Sequence, residues 1–264
     1  MPSRLRNYHR PADLQSAQKL LQRADSRAVP LNTSPRPPLD AYRDVDAVVD
    51  LSQLKLNTIK EDGDTICMGG MTPLQEIADS ALLRAQAGGV LCQAARLAAH
   101  LGLRNVTTLG GAILSTDGPP EVLLALLALD AEQVRDGDLL IEVRFAKQTQ
   151  SGGGLARVAR TPRDQAIVAA VAVVEVETPR RGVFIGRQAR LAIAGASPGP
   201  RRFTSAEKML EGQTFSADLL QKIADAVSAD ADPVPDYRGS AEYRKAMAGV
   251  LAKRALSQAW NQIK

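Results

Sequence analysis

Four consecutive residues, Thr108-Leu109-Gly110-Gly111, have the types and spacing that chemistry on a phosphate needs. Glycine lets backbone N–H groups come close to an anion and tolerates the conformations that aim them at it. The same four residues also make an ordinary tight turn, and the stretch alone leaves both readings open. It runs into a polar segment, Ser115–Pro120, and then into the strongly apolar Val122–Leu129. Other chemistry is thin. Cys67 and Cys92, the two cysteines, cannot ligate a four-thiolate iron–sulfur cluster. Both sit in apolar-patterned segments, which predicts buried free thiols. His9 and His100 are the two histidines, and neither has metal-ligand spacing. No Ser/His/Asp arrangement is readable. The chain thus offers no catalytic side-chain set and no metal site of its own, so its function depends on a bound cofactor or on partners.

The elements that must position this turn are those of a folded protein. A chain of 264 residues buries a sizeable core and favours two domains. Apolar residues make up 45% and charged residues 23%, both ordinary values. The 33 basic and 29 acidic residues are interspersed, and aromatics are only 3%. That argues against nucleic-acid binding, which concentrates basic residues and interleaves aromatics. The longest apolar runs, Val122–Leu129 and Ala166–Val174, fall far short of the ~20 residues that span a bilayer. "MPSRLRNYHRPADLQ" has no apolar stretch of signal type, so a cytoplasmic protein is expected.

Along the chain, Asp13 is placed to cap a helix with Leu14, Ala17, Leu20 and Leu21 on one face. "DSRAVPLNTSPRPPLDAYRD" reads as a loop, since its prolines oppose regular structure. Ala47–Leu51 reads as a buried strand, and Thr58–Met68 as a hairpin turning at Gly63. Thr72-Pro73-Leu74-Gln75 has the form of a capping box before a helix that buries Leu74, Ile77 and Ala78. "VLCQAARLAAHLG" reads as a second helix, stopped by Gly102. Leu139–Phe145 is a strand. Gly152-Gly153-Gly154, preceded by polar residues, reads as a linker. Beyond it, "QAIVAAVAVVEVE" and "QARLAIAGAS" read as antiparallel strands. Helices follow at about 206–210 and 217–227, with a possible capping box at Thr204 and Glu207. A last helix from Ala241 carries Tyr243, Met247, Val250 and Leu251 on one face. The mixture is α+β.

Four stretches resemble, in order, the FAD-binding medium subunit of the molybdenum hydroxylases, the family of aerobic carbon monoxide dehydrogenase and xanthine dehydrogenase. "YHRPADLQSA" resembles the opening Y-x-R-P-x-S-L-x-x-A of that family. "LRNVTTLGGAILSTDGPPEVLLALLALDAE" resembles its I-R-N-x-G-T-I-G-G-N segment and the helix that ends L-A-L-D-A. "ARLAIAGASPGPRR" and "DYRGSAEYRKAMAGVLAKRAL" resemble two C-terminal stretches. The last is the most specific. The resemblance implies a two-part FAD-binding domain of the molybdopterin dehydrogenase type over 1–150, with subdomains at about 1–56 and 57–150. A smaller α/β C-terminal domain with an antiparallel sheet follows over 156–264. It also implies partners, an iron–sulfur small subunit and a molybdopterin large subunit. In that assembly FAD passes electrons from the clusters to an external acceptor.

The resemblance carries the flavin site onto Thr33, Ser34, Thr108, Leu109, Gly110, Gly111, Ser115 and Glu121, with no metal in this chain. The family clamps the FAD pyrophosphate with two glycine-rich loops. Its first, A-G-G-T-x-L-L, corresponds here to Pro30-Leu31-Asn32-Thr33-Ser34-Pro35-Arg36, where both glycines are gone and two prolines remove N–H donors. In the second, T-I-G-G is kept, but Ala112 stands for Asn and Glu121 for an aspartate. A strand and loop usual after "ALDAEQV" are also missing. Each lost charge-assisted hydrogen bond is worth roughly 1.5–3 kcal/mol, so losing two weakens binding about a hundredfold or more. FAD, if bound, is therefore expected to be weak. Two functions stay open: a working flavoprotein subunit of an oxidoreductase, or a flavin-less homologue that keeps the fold to hold partner subunits.

Overall fold

The computed structural model describes residues 6–22, 28–31, 45–115, 118–137, 139–162, 164–177 and 186–263. The chain begins with β1 (Asn7–His9), α1 (Leu14–Leu21), β2 (Ala28–Leu31), β3 (Ala47–Asp50), β4 (Ile59–Asp62) and β5 (Thr65–Gly69). A helical stretch follows: α2 (Leu74–Asp79), α3 (Ala81–Arg84), α4 (Val90–Ala98), α5 (Leu101–Arg104), α6 (Leu109–Leu114) and α7 (Pro120–Ala128). Then come β6 (Glu132–Asp136), β7 (Leu139–Ala146), β8 (Ser151–Val158), β9 (Val168–Val176), β10 (Gly186–Ala194) and β11 (Arg201–Arg202). The last elements are α8 (Thr204–Lys208), α9 (Ala217–Asp230) and α10 (Ala241–Asn261). These elements fall into two compact units that interleave in sequence. One draws on Met1–Glu76, Leu101–Gly118 and Glu132–Arg144, the other on Ile77–His100, Pro119–Ala131 and Phe145–Lys264.

In the first unit, Asp13 caps α1 as its sequence position predicts, its Oδ1 accepting from the Ser16 N–H at 2.8 Å. Ala17 is buried with Val49, Leu51 and Leu139, and Leu14, Leu20 and Leu21 close the margin of that small core. β3 is the middle strand of a parallel sheet, between β1 and β2. β2 corrects the reading of this region as continuous loop. Among the described residues Ala28–Leu31 pairs with β3 and forms the edge of the sheet, and an edge strand tolerates Pro30 because it needs fewer N–H donors. The second sheet has the order β4-β5-β7-β6. Gly63, at φ +60°, turns the β4–β5 hairpin between the paired Asp62 and Thr65, and β6 and β7 pair antiparallel. At α2 the Thr72 hydroxyl donates to the Thr58 carbonyl at 3.2 Å, and Gln75 Oε1 accepts from Arg104 at 2.8 Å, so both side chains of the expected capping box bind other partners.

The second unit is built on a sheet of order β11-β10-β9-β8, all pairs antiparallel. β9 and β10 pair as expected, with Leu191 opposite Ala172. Gly152–Gly154, expected to be a linker, lies instead in β8. Successive strand residues face opposite ways. A Cβ on Gly152 or Gly154 would stand 2.0 Å from the Ala259 or Ala255 carbonyl oxygen of α10. One on Gly153 would stand 2.2 Å from the Ala87 carbonyl oxygen. Glycine is required here by backbone contact on both faces, which composition does not distinguish from flexibility. The same contact decides which face α10 buries. Ala248, Leu251, Ala252, Ala255 and Ala259 are fully buried, whereas Tyr243 and Val250, expected to share a face with Leu251, are exposed.

Two further expectations are corrected in this region. α4 ends at Ala98 because Ala99 is extended, so Gly102 lies inside the separate α5 rather than stopping one long helix. Glu207 does not complete a box with Thr204. Its carboxylate accepts from the Leu191 N–H at 2.8 Å and from a bidentate Arg202 at 2.9 and 2.8 Å. A buried Arg190 closes the C-terminal end of α7, its Nε donating to the Ala128 carbonyl at 2.8 Å.

Candidate functional site

Thr108 is the N-cap of the six-residue α6, with extended backbone (φ −89°, ψ 164°), and its Oγ1 accepts the Gly111 N–H at 3.1 Å. The preceding segment then closes over the turn. The Leu109 N–H donates to the Thr72 carbonyl and the Gly110 N–H to the Gly70 carbonyl, both at 2.8 Å. The Ala112 N–H donates to the Thr108 carbonyl at 2.9 Å, and the Leu74 N–H to that of Thr107 at 2.9 Å, which completes a bridge between Pro73 and Thr108. Leu109, Gly110, Gly111 and Ala112 are all buried.

Sequence reasoning missed Gly70, which accepts from the turn, and Gly69 beside it. A Cβ on Gly69 would lie 2.0 Å from the Leu56 carbonyl oxygen, and one on Gly70 would lie 2.0 Å from that of Leu140 in β7. The Gly70 N–H donates to the Ile141 carbonyl at 2.8 Å. The visible signal was a second glycine pair, in "CMGGMT", at the end of a strand. An FAD pyrophosphate at Thr108–Gly111 would need N–H groups pointed at it. Those of residues 109–112 already have acceptors inside the protein, so as a phosphate cradle the turn does not fit.

The other expected site residues lie elsewhere along the chain. Ser115 is the C-cap of α6, at the far end of the helix from Thr108. Thr33 and Ser34 lie outside the described residues. β2 ends at Leu31, paired with Asp50 at the end of β3. Tyr8 donates to Asp50, and Arg10 donates to Ser52 Oγ through Nε and Nη2 at 3.2 and 3.1 Å. The ends of parallel strands are where open sheets of this kind take ligands, and this polar cluster was not singled out from sequence.

Glu121 belongs to the second unit, in the first turn of α7. It is 2% exposed, and its Oε1 stands 3.1 Å from Arg157 Nε, although the pair lacks the direction of a hydrogen bond. Burial pushes its carboxyl above the usual range, and Arg157 only partly opposes this. Arg157 also donates to the Pro162 carbonyl at 3.5 Å and to that of Asp164. Cys67 and Cys92 are buried free thiols, and burial raises both. Among the described residues no group of three or more His, Cys, Asp or Glu is placed to hold a metal.

Comparison with known proteins places this geometry in context. The family model for the FAD binding domain in molybdopterin dehydrogenase matches residues 3–147, and that for the CO dehydrogenase flavoprotein C-terminal domain matches 155–259. The chain is similar to the carbon monoxide dehydrogenase medium chain of Hydrogenophaga pseudoflava, 26% identical over 282 residues that cover 96% of each chain. It is 24% identical to the xanthine dehydrogenase FAD-binding subunit of Escherichia coli O157:H7, over 96% of this chain and 95% of that one. Among solved structures it resembles the Hydrogenophaga pseudoflava carbon monoxide dehydrogenase that lacks the Mo-pyranopterin moiety. The TM-score is 0.85, at 26% identity and 99% coverage of both chains.

Proposed function

The chain belongs to the family of FAD-binding medium subunits of the molybdenum hydroxylases, and from that membership we propose that it is the medium subunit of such a complex with its flavin held weakly or lost. The observation that carries the second half is the closure of the Thr108–Gly111 turn, whose N–H groups bind Thr72, Gly70 and the Thr108 hydroxyl. The substituted first loop supports it too, since Pro30 and Pro35 lack N–H groups and Leu31 replaces glycine. An electron relay through FAD needs a firmly seated flavin, and no step of that kind is assigned to these residues. What the fold retains is the framework on which an iron–sulfur small subunit and a molybdopterin large subunit assemble. The proposed setting is the cytoplasm; no helix among the described residues is long and apolar enough to cross a membrane.

The test is to purify the full chain from its native source, with and without its partners, and to record the visible spectrum after dialysis. Co-purification with the two subunits and less than stoichiometric flavin is expected. Stoichiometric FAD that survives dialysis would overturn the weak-flavin half and favour the electron-relay subunit. A strictly solitary chain would overturn the assembly half.

A further inference from the structure

We propose that Thr108–Gly111 is a backbone clasp that closes the first unit on itself, and that it stays closed whether or not FAD is present. The structural clasp stands on geometry alone; its indifference to FAD rests on the weak-flavin reading above. Three backbone segments meet at one point. The Leu140–Ile141 stretch of β7 accepts the Gly70 N–H, Gly70 accepts the Gly110 N–H, and Thr72 accepts the Leu109 N–H. A Cβ at Gly110 would sit 3.0 Å from the Gly70 oxygen, and one at Gly70 would overlap the Leu140 oxygen at 2.0 Å. The glycines therefore serve approach of backbone to backbone. The same residue type in the same turn would serve approach of backbone to phosphate, which is why the sequence reads as a cradle.

Opening the turn to an anion would displace three acceptors at once and leave the Gly70 and Thr72 carbonyls buried without those donors. Buried backbone groups are rarely left that way, because the penalty of an unmade bond exceeds the net gain of a made one. Thr108 adds a local lock, since its hydroxyl holds the Gly111 N–H that a phosphate would otherwise take.

Hydrogen–deuterium exchange of the full chain, with and without excess FAD, tests this. Residues 109–111 should exchange slowly without FAD and unchanged with it. Fast exchange without FAD, or protection that appears only with FAD, would overturn the clasp. Thr108→Ala should speed exchange at Gly111, and Thr108→Ser, which keeps the hydroxyl, should restore it. Gly110→Ala should lower Tm and loosen residues 69–72 in the absence of FAD. A Gly110→Ala chain with unchanged exchange there but weakened FAD binding would return the turn to the flavin. Tight FAD binding measured alongside unchanged protection at 109–111 would overturn only the weak-flavin reading and leave the clasp standing.

Discussion

Gln258, on α10, accepts the backbone N–H of Leu155 in β8 at 3.0 Å, and Gln262, one turn further along the helix, accepts that of Gly153 at 2.9 Å. Among the described residues β8 is the last strand of its sheet, and these two N–H groups point away from its neighbour, β9. An uncovered strand edge is a template for pairing with another chain. Two glutamines at helical spacing cover it here.

Replacing both Gln258 and Gln262 with alanine should therefore do two things. Folding stability should fall by roughly 1 kcal/mol per lost hydrogen bond, read as a shift in the urea midpoint. The chain should also gain a tendency to self-associate, read by light scattering. A double variant as stable and as monodisperse as the parent would show that the edge is protected by other means.

Glu121 predicts a pH effect of unusual sign for a carboxylate. Burial raises its folded pKa above the ordinary 4.5, with Arg157 only partly opposing. A raised pKa means that the folded state holds the proton more tightly than the unfolded one. Its contribution to stability is then best at acid pH and declines as pH rises from about 4.5 through the folded value. Glu121→Gln removes that slope. The variant should gain on the parent as pH rises from mildly acid to neutral, in paired thermal melts. A difference between the two that stays constant with pH would sink the argument.

Asp236 carries the opposite sign. Burial pushes its carboxyl up, but the Arg238 N–H and the side chains of Arg244 and Arg238 outweigh that and hold it down to about 2. The stability it supplies is full above 3.8 and is lost as pH falls from there through about 2. Asp236→Ala takes the carboxylate from Arg244, which is buried and also holds the Ile167 carbonyl at 2.6 Å. A loss of roughly 1.5–3 kcal/mol at neutral pH is expected, shrinking at acid pH. Equal losses at both pH values would place the effect in packing.

The first loop offers a gain-of-function test. Leu31→Gly, Asn32→Gly and Pro35→Leu together restore backbone donors and freedom where the family has them. The parent is expected to bind FAD at micromolar levels or weaker, about −8 kcal/mol, and the triple variant at least tenfold more tightly by calorimetry. No change would mean that the first loop is not what limits the flavin.

Local chemistry was legible in the sequence wherever a short segment decides its own conformation. Asp13 announces α1, Gly63 the β4–β5 hairpin, and the apolar runs of β9 and β10 their pairing. What stayed hidden depends on distant contacts. Gly152–Gly154 look flexible until α10 is seen lying against them. Ala255 and Ala259 look like indifferent helix formers until those glycines are known. The flavin turn is the same case. Gly110-Gly111 is legible as glycine, but whether its N–H groups face a ligand or Gly70 is a tertiary fact.

The interleaving of the two units has a consequence for how the chain is made. Emerging from the ribosome, the polypeptide passes from one unit to the other after residues 76, 100, 118, 131 and 144. The first unit cannot close until Arg144 is out. α7, synthesised earlier, must wait for β9 and β10, the strands it packs against, and α4 for β8. Val122, Leu124 and Ala125 of α7 are fully buried in the finished protein and have no complete shelter until then. A chain truncated near residue 150 would release that apolar helix into water, so the nascent protein is expected to need chaperone cover over α7 until the second half arrives.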